Sequence, residues 1–467
     1  MSAVGKLRDR FAGSSTAGKP LKALAASGQL GYGLPEAALK EGFAREPDFI
    51  GCDMGSVDPG PYYLGAGEMA TAPAMTVHDL RAVLQGARSL DVPLLIGTAG
   101  TAGAKPHLDK TLEMVRQIAK KDGLRFRLAS IEADIPKDMV KAAAKDDRIV
   151  KLGEMDVPGD AEIDATAHLV GQMGTEAFRR ALDAEADVII AGRACDTAVF
   201  SSVPNMLGYP MGPAMHMAKI IECTSISCTP GGRDAMLGTL EGDSFVLESM
   251  NPDRHATPLS VAAHGLYEQA DPFSVREPDG ALHLNDIEFE PIDHHRVRAR
   301  GARWEPAEQL SVKLEGATYV GERGILVAGA CDPNFIAAID DITPALEKTV
   351  RELLDGTVSG EFQLNFRVYG RDGVSLWPTP PASPPHEVFI MGECIAATAE
   401  ETKAILTTCK QYFLHYGFPG RISTAGNLAF PFTPPEILTG SAYRFSVYHV
   451  MQVDELASLF PVTLEEV

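Results

Sequence analysis

The sequence predicts an α/β protein that begins with a mainly parallel sheet covered by helices on both faces. Short apolar runs alternate with helix-like segments through the first half of the chain. Several of the apolar runs end in polar loops that contain glycine. Strands that alternate with helices need crossover connections, which make successive strands parallel and place helices on both faces of the sheet.

The alternation extends to about Cys228. The predicted strands of this part are, in chain order, DFIGCD, PLLIGTAG, FRLASIEAD and DVIIAGRACD. The predicted helices are MTVHDLRAVLQGARSLD, PHLDKTLEMVRQIAKKDG, TEAFRRALDAEA and GPAMHMAKIIEC. Gly123 is expected to end the second of these helices, and a proline lies near the first turn of the last.

The character of the sequence changes after Cys228. Short, turn-separated segments predict a β-rich or loop-rich region over residues 229–323, packed on the first domain (residues 1–228). Residues 324–467 predict a C-terminal α+β domain. Its predicted helices are FIAAIDDITPALEKTVRELLDG and AEETKAILTTCKQYFLHYG; its predicted strands are FQLNFRVYG, HEVFIMGECIAA and, as the final strand, YRFSVYHVMQV. The proline-rich stretch LWPTPPASPPHE is predicted to be a loop.

Composition limits the classes of function. A chain of 467 residues exceeds what one hydrophobic core usually serves. The net charge of -21 argues against nucleic acid or an anionic membrane as the main partner, although a local basic pocket could still bind an anionic substrate. No run approaches the roughly 20 apolar residues of a membrane helix. The start, MSAVGKLRDRFAG, lacks the apolar segment of a secretory signal, so we expect a cytoplasmic protein.

The 7 cysteines are scattered without a CxxC pair, which is typical of reduced thiols in a cytosolic protein. Cys52 and Cys195 lie in glycine-rich stretches, where a thiol could act as a nucleophile. Packing of small residues in a core is the simpler explanation.

Four polar loops that follow predicted strands form the candidate site. They are residues 53–60, 97–103, 132–134 and 192–197. In an open parallel sheet, ligands bind beyond the carboxyl ends of the strands, where such loops gather. The first loop belongs to FIGCDMGSVDPGPYYLGAG, and its candidates are Asp53, Ser56, Asp58 and Tyr62. Tyr62 and Tyr63 could form a pocket wall or simply pack.

The second loop, GTAGTAG, centres on Gly100 and could bind an anion through backbone N–H groups. A tight helix–strand packing turn explains the same glycines. The spacing matches neither the dinucleotide fingerprint nor a P-loop, so we expect no nucleotide cofactor.

The loop AGRACDTAVF contains Arg193 and Asp196. Arg193 could clamp a carboxylate or phosphate, or it could form a structural ion pair with Asp196 or another loop carboxylate. On the following helix, His216, Lys219 and Glu222 recur every three residues and span roughly 120° of the helix surface. They could face a site, or Glu222 could lie at a partly solvated edge.

Two further candidates lie beyond the first domain. His264 stands among small and apolar residues, where a histidine is more often a core residue than a catalyst. Lys313 and Glu315, in VKLEGA, would point to one side of a strand, so Lys313 could bind substrate or pair with Glu315.

Six segments in order along the chain carry a family resemblance. They are CDMGSVDPGPYYLGAG, IAGRACDTAVF, HMAKIIEC, TPLSVAAHGLYEQADP, VKLEGA and NLAFPFTPPEI followed by YRFSVYHV. Together they resemble the acyclic terpene utilisation protein A (AtuA-like) family over nearly the whole chain. The resemblance implies a bacterial catabolic protein that handles a small branched or unsaturated carboxylate or its CoA thioester. It also implies oligomer formation and a small α+β partner subunit of about a hundred residues, which is a domain-scale length.

These observations favour an enzyme of the lyase type, a hydratase or dehydratase. Such chemistry needs a base, an acid for the leaving hydroxyl and a cation that holds the carboxylate. Asp53 or Asp58 could be the base, and His216 or His264 the acid. Arg193 with Lys219 would hold the carboxylate, and Ser56 with glycine N–H groups would stabilise developing negative charge.

Two questions stay open at this level. A divalent metal ion held by the loop carboxylates would be compatible with the residues, though no ligand spacing demands it. The alternative to an enzyme is a non-catalytic subunit that binds an acyl-CoA or a small acid. A nucleotide-driven kinase or ligase is disfavoured because no phosphate-loop lysine is present.

Overall fold

The computed structural model of the chain describes residues 1–13, 19–267, 270–374, 383–422 and 426–467. The proline-rich loop predicted at LWPTPPASPPHE lies largely outside these residues. The chain divides into two compact units: unit 1 is Met1–Thr318 with Phe445–Val467, and unit 2 is Tyr319–Arg444. The domain boundaries proposed from the sequence at residues 228 and 323 stay a prediction.

The helices of unit 1 lie mostly between strands. They are α1 (Ala3–Phe11), α2 (Glu36–Ala44), α3 (Pro61–Ala66), α4 (Pro73–Leu90), α5 (Lys105–Asp122), α6 (Lys137–Lys145), α7 (Asp160–Ala165), α8 (Thr175–Asp183), α9 (Asp196–Met206), α10 (Met211–Ile221) and α11 (Pro258–Gly265). Those of unit 2 are α12 (Pro333–Ala337), α13 (Ile339–Leu354) and α14 (Ala399–Leu414).

The strands are, in chain order, β1 (Leu21–Ser27), β2 (Phe49–Asp53), β3 (Leu94–Gly97), β4 (Arg127–Ile131), β5 (Ile149–Lys151), β6 (Thr166–Gly171), β7 (Val188–Ala191), β8 (Met236–Glu241), β9 (Ser244–Ser249), β10 (Ser274–Glu277), β11 (Gly280–His283), β12 (Glu288–Pro291), β13 (Arg296–Arg300), β14 (Arg303–Pro306), β15 (Ser311–Ala330), β16 (Gln363–Tyr369), β17 (Val388–Ala396), β18 (Glu436–Gln452) and β19 (Val462–Glu466).

Unit 1 is built on a 10-stranded sheet in the order β12-β13-β9-β8-β1-β2-β3-β7-β4-β19. Its centre, from β1 to β4, is parallel. The predicted α/β class with a parallel sheet is therefore confirmed. The β-rich region contributes β8, β9, β13 and β12 as an antiparallel extension of the same sheet.

Helices cover both faces of the central strands, because neighbouring residues of each strand point to opposite faces. On β3, Leu94 and Ile96 belong to a core formed with α4 and α5, whereas Leu95 belongs to a core formed with α8 and α9. Gly51 of β2 faces α9, and a Cβ atom there would lie 2.3 Å from the ring of Phe200. This close approach brings α9 directly onto the sheet.

Unit 2 has its own core. Strands β16 and β17 pair antiparallel, and β17 pairs with β15 over Glu322–Ala330. Apolar residues of α13 and α14, including Leu346 and Phe413, pack together with residues of these strands.

One prediction about the end of the chain is wrong. YRFSVYHVMQV is a strand, as expected, but it is not the last, because β19 follows and pairs antiparallel with β4. The short acidic sequence VTLEE has little apolar content, and its position beside β4 makes it an edge strand.

No helix in the described part of the chain combines the length and the apolar character that crossing a membrane requires.

Candidate active site

The loops at the carboxyl ends of β2, β3 and β7 are hydrogen-bonded to one another. The N–H of Met54 donates to the carbonyl of Gly97 at 3.0 Å, and the N–H of Thr98 donates to the carbonyl of Gly192 at 3.0 Å. The N–H of Arg193 donates to the carbonyl of Gly103, also at 3.0 Å. These bonds place side chains from three strand ends in one region, as parallel strands allow.

The GTAGTAG loop contributes packing to this region. Residues 98–104 are all buried. Gly100 has φ +62°, and a Cβ atom there would lie 2.9 Å from the backbone and side chain of His107. The first free N–H of α5, at Lys105, already donates to the carboxylate of Asp134 at 2.7 Å. The packing explanation of Gly100 therefore fits the geometry better than anion binding.

Arg193 is bound by a buried carboxylate. Its Nε lies 2.7 Å from Oε2 of Glu315, and its Nη2 lies 3.3 Å from Oε1 of the same residue. The side chains of Arg193 and Glu315 are only 4% and 0% exposed. Nη1 donates to the carbonyl of Ala194 at 3.0 Å and to the hydroxyl of Thr98 at 3.4 Å. The geometry supports the structural ion pair, with Glu315 as the principal partner.

Lys313 joins the same ion-pair network. Its Nζ lies 3.0 Å from Oε1 of Glu315 and donates to the hydroxyl of Tyr448 at 2.8 Å. Burial opposes the charge of Glu315, but Arg193 and Lys313 together hold the pKa of Glu315 below its ordinary value. We call Arg193, Glu315, Lys313 and Tyr448 the ion-pair network. Its cations are committed to a protein carboxylate.

A second set of carboxylates, from other elements, lies beside the ion-pair network. Asp53 is the last residue of β2, Asp196 is the first of α9, Glu222 follows α10, and Glu277 ends β10. We call these four the acidic cluster. Asp53 and Glu222 are 8% and 7% exposed.

Three members of the acidic cluster, Asp53, Glu222 and Glu277, have raised pKa values. Burial raises the pKa of Asp53 well above its ordinary value, and the charge of Asp196 raises it further. Burial and Asp196 raise the pKa of Glu222 in the same way. Burial raises the pKa of Glu277 to about 7, although the hydroxyl of Thr197 donates to its Oε1 at 2.7 Å. Asp196 contributes to all three shifts, so it is the electrostatic centre of the cluster.

The outer part of the first loop lies away from this chemistry. The hydroxyl of Ser56 donates to Oδ2 of Asp58 at 2.8 Å, and Asp58 is exposed. The hydroxyl of Tyr62 donates to the carboxylate of Glu68 at 3.2 Å, and its ring meets Tyr63 edge-on. The structure thus brings Asp53 into the acidic cluster and leaves Asp58 at the surface.

The residues that recur every three positions on α10 are all buried. His216, Lys219 and Glu222 are 0%, 3% and 7% exposed. The alternative of a partly solvated edge for Glu222 is therefore wrong, because α11 and the segment after α10 cover this part of the helix. The His216 ring lies edge-on to Phe245 and Phe289, with centroids 5.1 and 6.0 Å away.

Both candidate histidines are uncharged at neutral pH. Burial lowers the pKa of His216 to about 3 and that of His264 to about 4, and the charge of Lys219 contributes to both shifts. A neutral imidazole does not carry the extra proton that a strong general acid donates. The geometry therefore gives no support to a general-acid role for either histidine.

Two further hypotheses from the sequence are a thiol nucleophile and a metal ion held by carboxylates. Burial raises the pKa of Cys52 and of Cys195, which keeps both thiols protonated and favours their packing role. Among the residues that the structure describes, no group of three or more His, Cys, Asp or Glu side chains is arranged to hold a metal ion. The structure therefore gives no support to the divalent ion that the loop carboxylates could have held, and no step below is assigned to one.

The sequence did not predict the contacts that three residues of this region make. Glu277 comes from the short strand β10, 80 residues after Thr197, and nothing in its local sequence indicates the contact. Glu315 was considered as a partner of Lys313 alone. Tyr448 stands within the motif YRFSVYHV, which was a signal that this strand belongs with the site.

The ion-pair network generates a stability prediction. Replacing Glu315 with Gln leaves Arg193 and Lys313 without their counter-charge in a buried position, so we expect the free energy of unfolding to fall by about 3–5 kcal/mol. Urea and thermal denaturation measure it. Glu41→Gln is the control, because its ion pair with Arg45 has side chains 48% and 40% exposed. That control should change stability by about 1 kcal/mol or less, and an equally small effect of Glu315→Gln would contradict the network's role.

The acidic cluster generates a pH-dependence prediction. Glu277 has a folded-state pKa of about 7, above the value of about 4.3 for an exposed Glu. Folded protein therefore binds more protons than unfolded protein between these two pH values, so this group lowers stability as pH rises through the window. We expect Glu277→Gln to raise the melting temperature relative to the parent protein more at about pH 8 than at about pH 5. A difference in melting temperature that is the same at both pH values would show that Glu277 ionises normally.

Comparison with known proteins identifies the family. The sequence profile described as acyclic terpene utilisation family protein AtuA matches residues 76–227 and 239–432, which include Arg193, Lys219 and Glu315. Asp53 precedes the matched part. No curated protein and no solved structure matches the chain. The resemblance predicted from the motifs is confirmed, and the chain belongs to the acyclic terpene utilisation (AtuA) family.

Proposed function

We propose that the chain is a lyase that adds or removes water next to a carboxylate or thioester in acyclic terpene catabolism. Membership of the AtuA family implies the catabolic role. The observation that carries the reaction type is the position of Asp53, buried at the carboxyl end of β2 where the charge of Asp196, after β7, raises its pKa.

Two carboxyl groups that interact strongly release their protons in two separated steps. Where burial also raises the higher of the two pKa values above 7, the pair retains one proton at neutral pH and can donate a proton at one oxygen and accept one at another. Burial is the main cause of the raised pKa of Asp53. Asp196 is partly exposed and lies at the start of α9, where the helix dipole stabilises negative charge. We therefore assign the proton to Asp53 and the negative charge to Asp196.

The dehydration step then balances. Asp196 accepts the proton from the carbon next to the carboxylate or thioester, and the electron pair of that C–H bond forms the new C=C bond. The hydroxyl on the neighbouring carbon leaves with the proton of Asp53 as water. Hydration is the same sequence in reverse. Asp53 is thus the acid in this proposal, in place of His216 or His264.

Removal of a proton next to a carbonyl group builds negative charge on the substrate, and nearby cations would stabilise it. Arg193 and Lys313 are held by Glu315 in the ion-pair network. Lys219 is buried and has no such carboxylate bound to it among the described residues. It is the cation that we assign to the substrate.

The reaction is tested by following hydrogen exchange and product formation together. Hydroxy acids, unsaturated acids and CoA thioesters of branched chains would be incubated with the protein in D₂O, with and without a small partner subunit. Nuclear magnetic resonance detects deuterium at the carbon next to the carbonyl and the appearance of the alkene. Saturable binding of these compounds with neither exchange nor product, partner included, would favour the non-catalytic binding subunit.

The catalytic pair is tested by a matched pair of variants. We expect Asp53→Asn to lower the rate of exchange and of dehydration by about 10²–10⁴-fold, because the amide cannot supply the proton. Asp58→Asn removes the same charge from the exposed part of the same loop, so its rate should stay within a few-fold of the parent. Loss of activity in Asp58→Asn with retention in Asp53→Asn would transfer the role to Asp58. Melting temperatures of both variants show whether the fold is kept.

A further inference from the structure

Three buried side chains on α10 and α11 carry nitrogen atoms that form no hydrogen bond within the described part of the chain. Both ring nitrogens of His216 and Nε2 of His264 lack a hydrogen bond. Lys219 is 3% exposed, and its ammonium has neither a hydrogen bond nor an ion pair within the described residues. The Nζ of Lys219 lies 5.4 Å from the centroid of the Tyr267 ring.

These side chains face one region. The His264 ring packs on the same Tyr267 ring, with centroids 4.6 Å apart. Residue 265 is glycine, and a Cβ atom there would lie 3.5 Å from Nε2 of His216, so α11 approaches that nitrogen closely at Gly265. The charge of Lys219 acts on both imidazoles. Two helices thus bring an ammonium and two imidazoles together around Gly265.

A buried ammonium and a buried imidazole N–H are both unfavourable when no acceptor is hydrogen-bonded to them. A carboxylate satisfies them together, because its two oxygens offer about four acceptor positions and one negative charge. The imidazoles would each donate one N–H, and Lys219 would supply the positive charge. The site is made from helix residues, which hold the three groups in fixed relative positions.

We propose that His216, Lys219 and His264 form the subsite that binds a carboxylate group of the substrate. The subsite specifies how the lyase proposed above would bind its substrate, and it rests on that function only for the identity of the reacting groups. Binding can be measured without turnover, so the subsite can be tested separately. The anion-binding role moves from Arg193 to Lys219, and the histidines become hydrogen-bond donors in place of acids.

The surrounding charges define the substrate class further. The acidic cluster adjoins Lys219, and its Glu222 lies three residues further along the chain. A second carboxylate on the substrate would meet the negative charge of Asp196 without a free cation, because Arg193 and Lys313 are paired with Glu315. The substrate is therefore a free monocarboxylic acid rather than a dicarboxylate. A thioester has no carboxylate at its acyl end and would not fill the subsite.

The experiment measures binding of 3-methylbutanoate, succinate and the neutral N-acetylcysteamine thioester of 3-methylbutanoate by isothermal titration calorimetry on the full chain. We expect saturable binding of 3-methylbutanoate, with a Kd at least about tenfold lower than those of the other two, since one lost charge interaction is commonly that large. Succinate or the thioester binding as tightly would overturn the assigned substrate class. Absence of binding by the parent protein would overturn the subsite.

Variants assign the binding to Lys219. Lys219→Met and Lys219→Gln should each weaken binding of 3-methylbutanoate at least about tenfold. Lys219→Arg should retain part of it because the charge remains. Lys145→Gln is the control, since it removes the same charge from a side chain that is 66% exposed. Parent-like affinity in a folded Lys219→Met variant would overturn the proposal.

A spectroscopic measurement needs no variant that could fail to fold. In protein labelled with ¹⁵N-histidine, addition of 3-methylbutanoate should shift the imidazole ¹⁵N signals of His216 and His264 as their N–H groups gain an acceptor. Unchanged signals at saturation would overturn their role. Asp53→Asn should bind 3-methylbutanoate as the parent protein does, because Asp53 is not part of the subsite. If the parent protein binds 3-methylbutanoate as expected but catalyses neither exchange nor dehydration, the subsite is supported and the proposed reaction is contradicted.

Discussion

The ion pair between Arg193 and Glu315 determines how charge is distributed at the carboxyl ends of the central strands. Arg193 follows β7 directly, and Glu315 reaches it from β15, 122 residues further along the chain. Because both side chains are almost fully buried, each needs the other to remain charged inside the protein. Lys313 adds a second cation to the same carboxylate. Of the two roles considered for Arg193, the geometry supports the structural ion pair.

Because Arg193 is paired with Glu315, it only partly offsets the raised pKa of the neighbouring carboxyl group of Asp53. Arg193 does lower the pKa of Asp53, but burial and the charge of Asp196 outweigh it. A site with several buried carboxylates and few available cations holds protons, which is what an acid–base pair requires at neutral pH. Lys219 forms no ion pair within the described residues, but its charge acts on the nearby carboxyl group of Glu222 and lowers its pKa. In the proposed site, Asp53 and Asp196 would transfer protons, and Lys219 would bind the substrate.

Local sequence patterns were sufficient for much of the fold. Apolar strands, helical periodicity and glycine-ended loops correctly indicated a parallel sheet with covered faces, and the strand-end rule indicated the region that contains Asp53, Arg193 and Asp196. The same patterns missed β19, because a short acidic edge strand has no apolar signature. They also gave no sign that β8, β9, β13 and β12 would extend the central sheet, since strand pairing is a long-range property.

Burial and long-range pairing explain what could not be predicted at the site. Asp53 and Asp58 are five residues apart and chemically identical, yet one is buried and the other exposed. His216 and His264 were recognised as residues that could carry protons, but their low pKa values come from packing against residues distant in sequence. Sequence identifies which side chains can do the chemistry, whereas tertiary contacts decide which protonation state each one has.

The central claim is that Asp53 retains a proton at neutral pH because it is buried beside Asp196. The most direct measurement is a pH titration of the carboxyl ¹³C signals in protein labelled at aspartate Cγ, with the Asp53 signal assigned by its loss in Asp53→Asn. The account predicts that this signal keeps the shift of a protonated carboxyl group at pH 7 and changes when Asp196 is replaced by Asn. A signal already at the shift of an ionised carboxylate at pH 7, insensitive to Asp196, would contradict it.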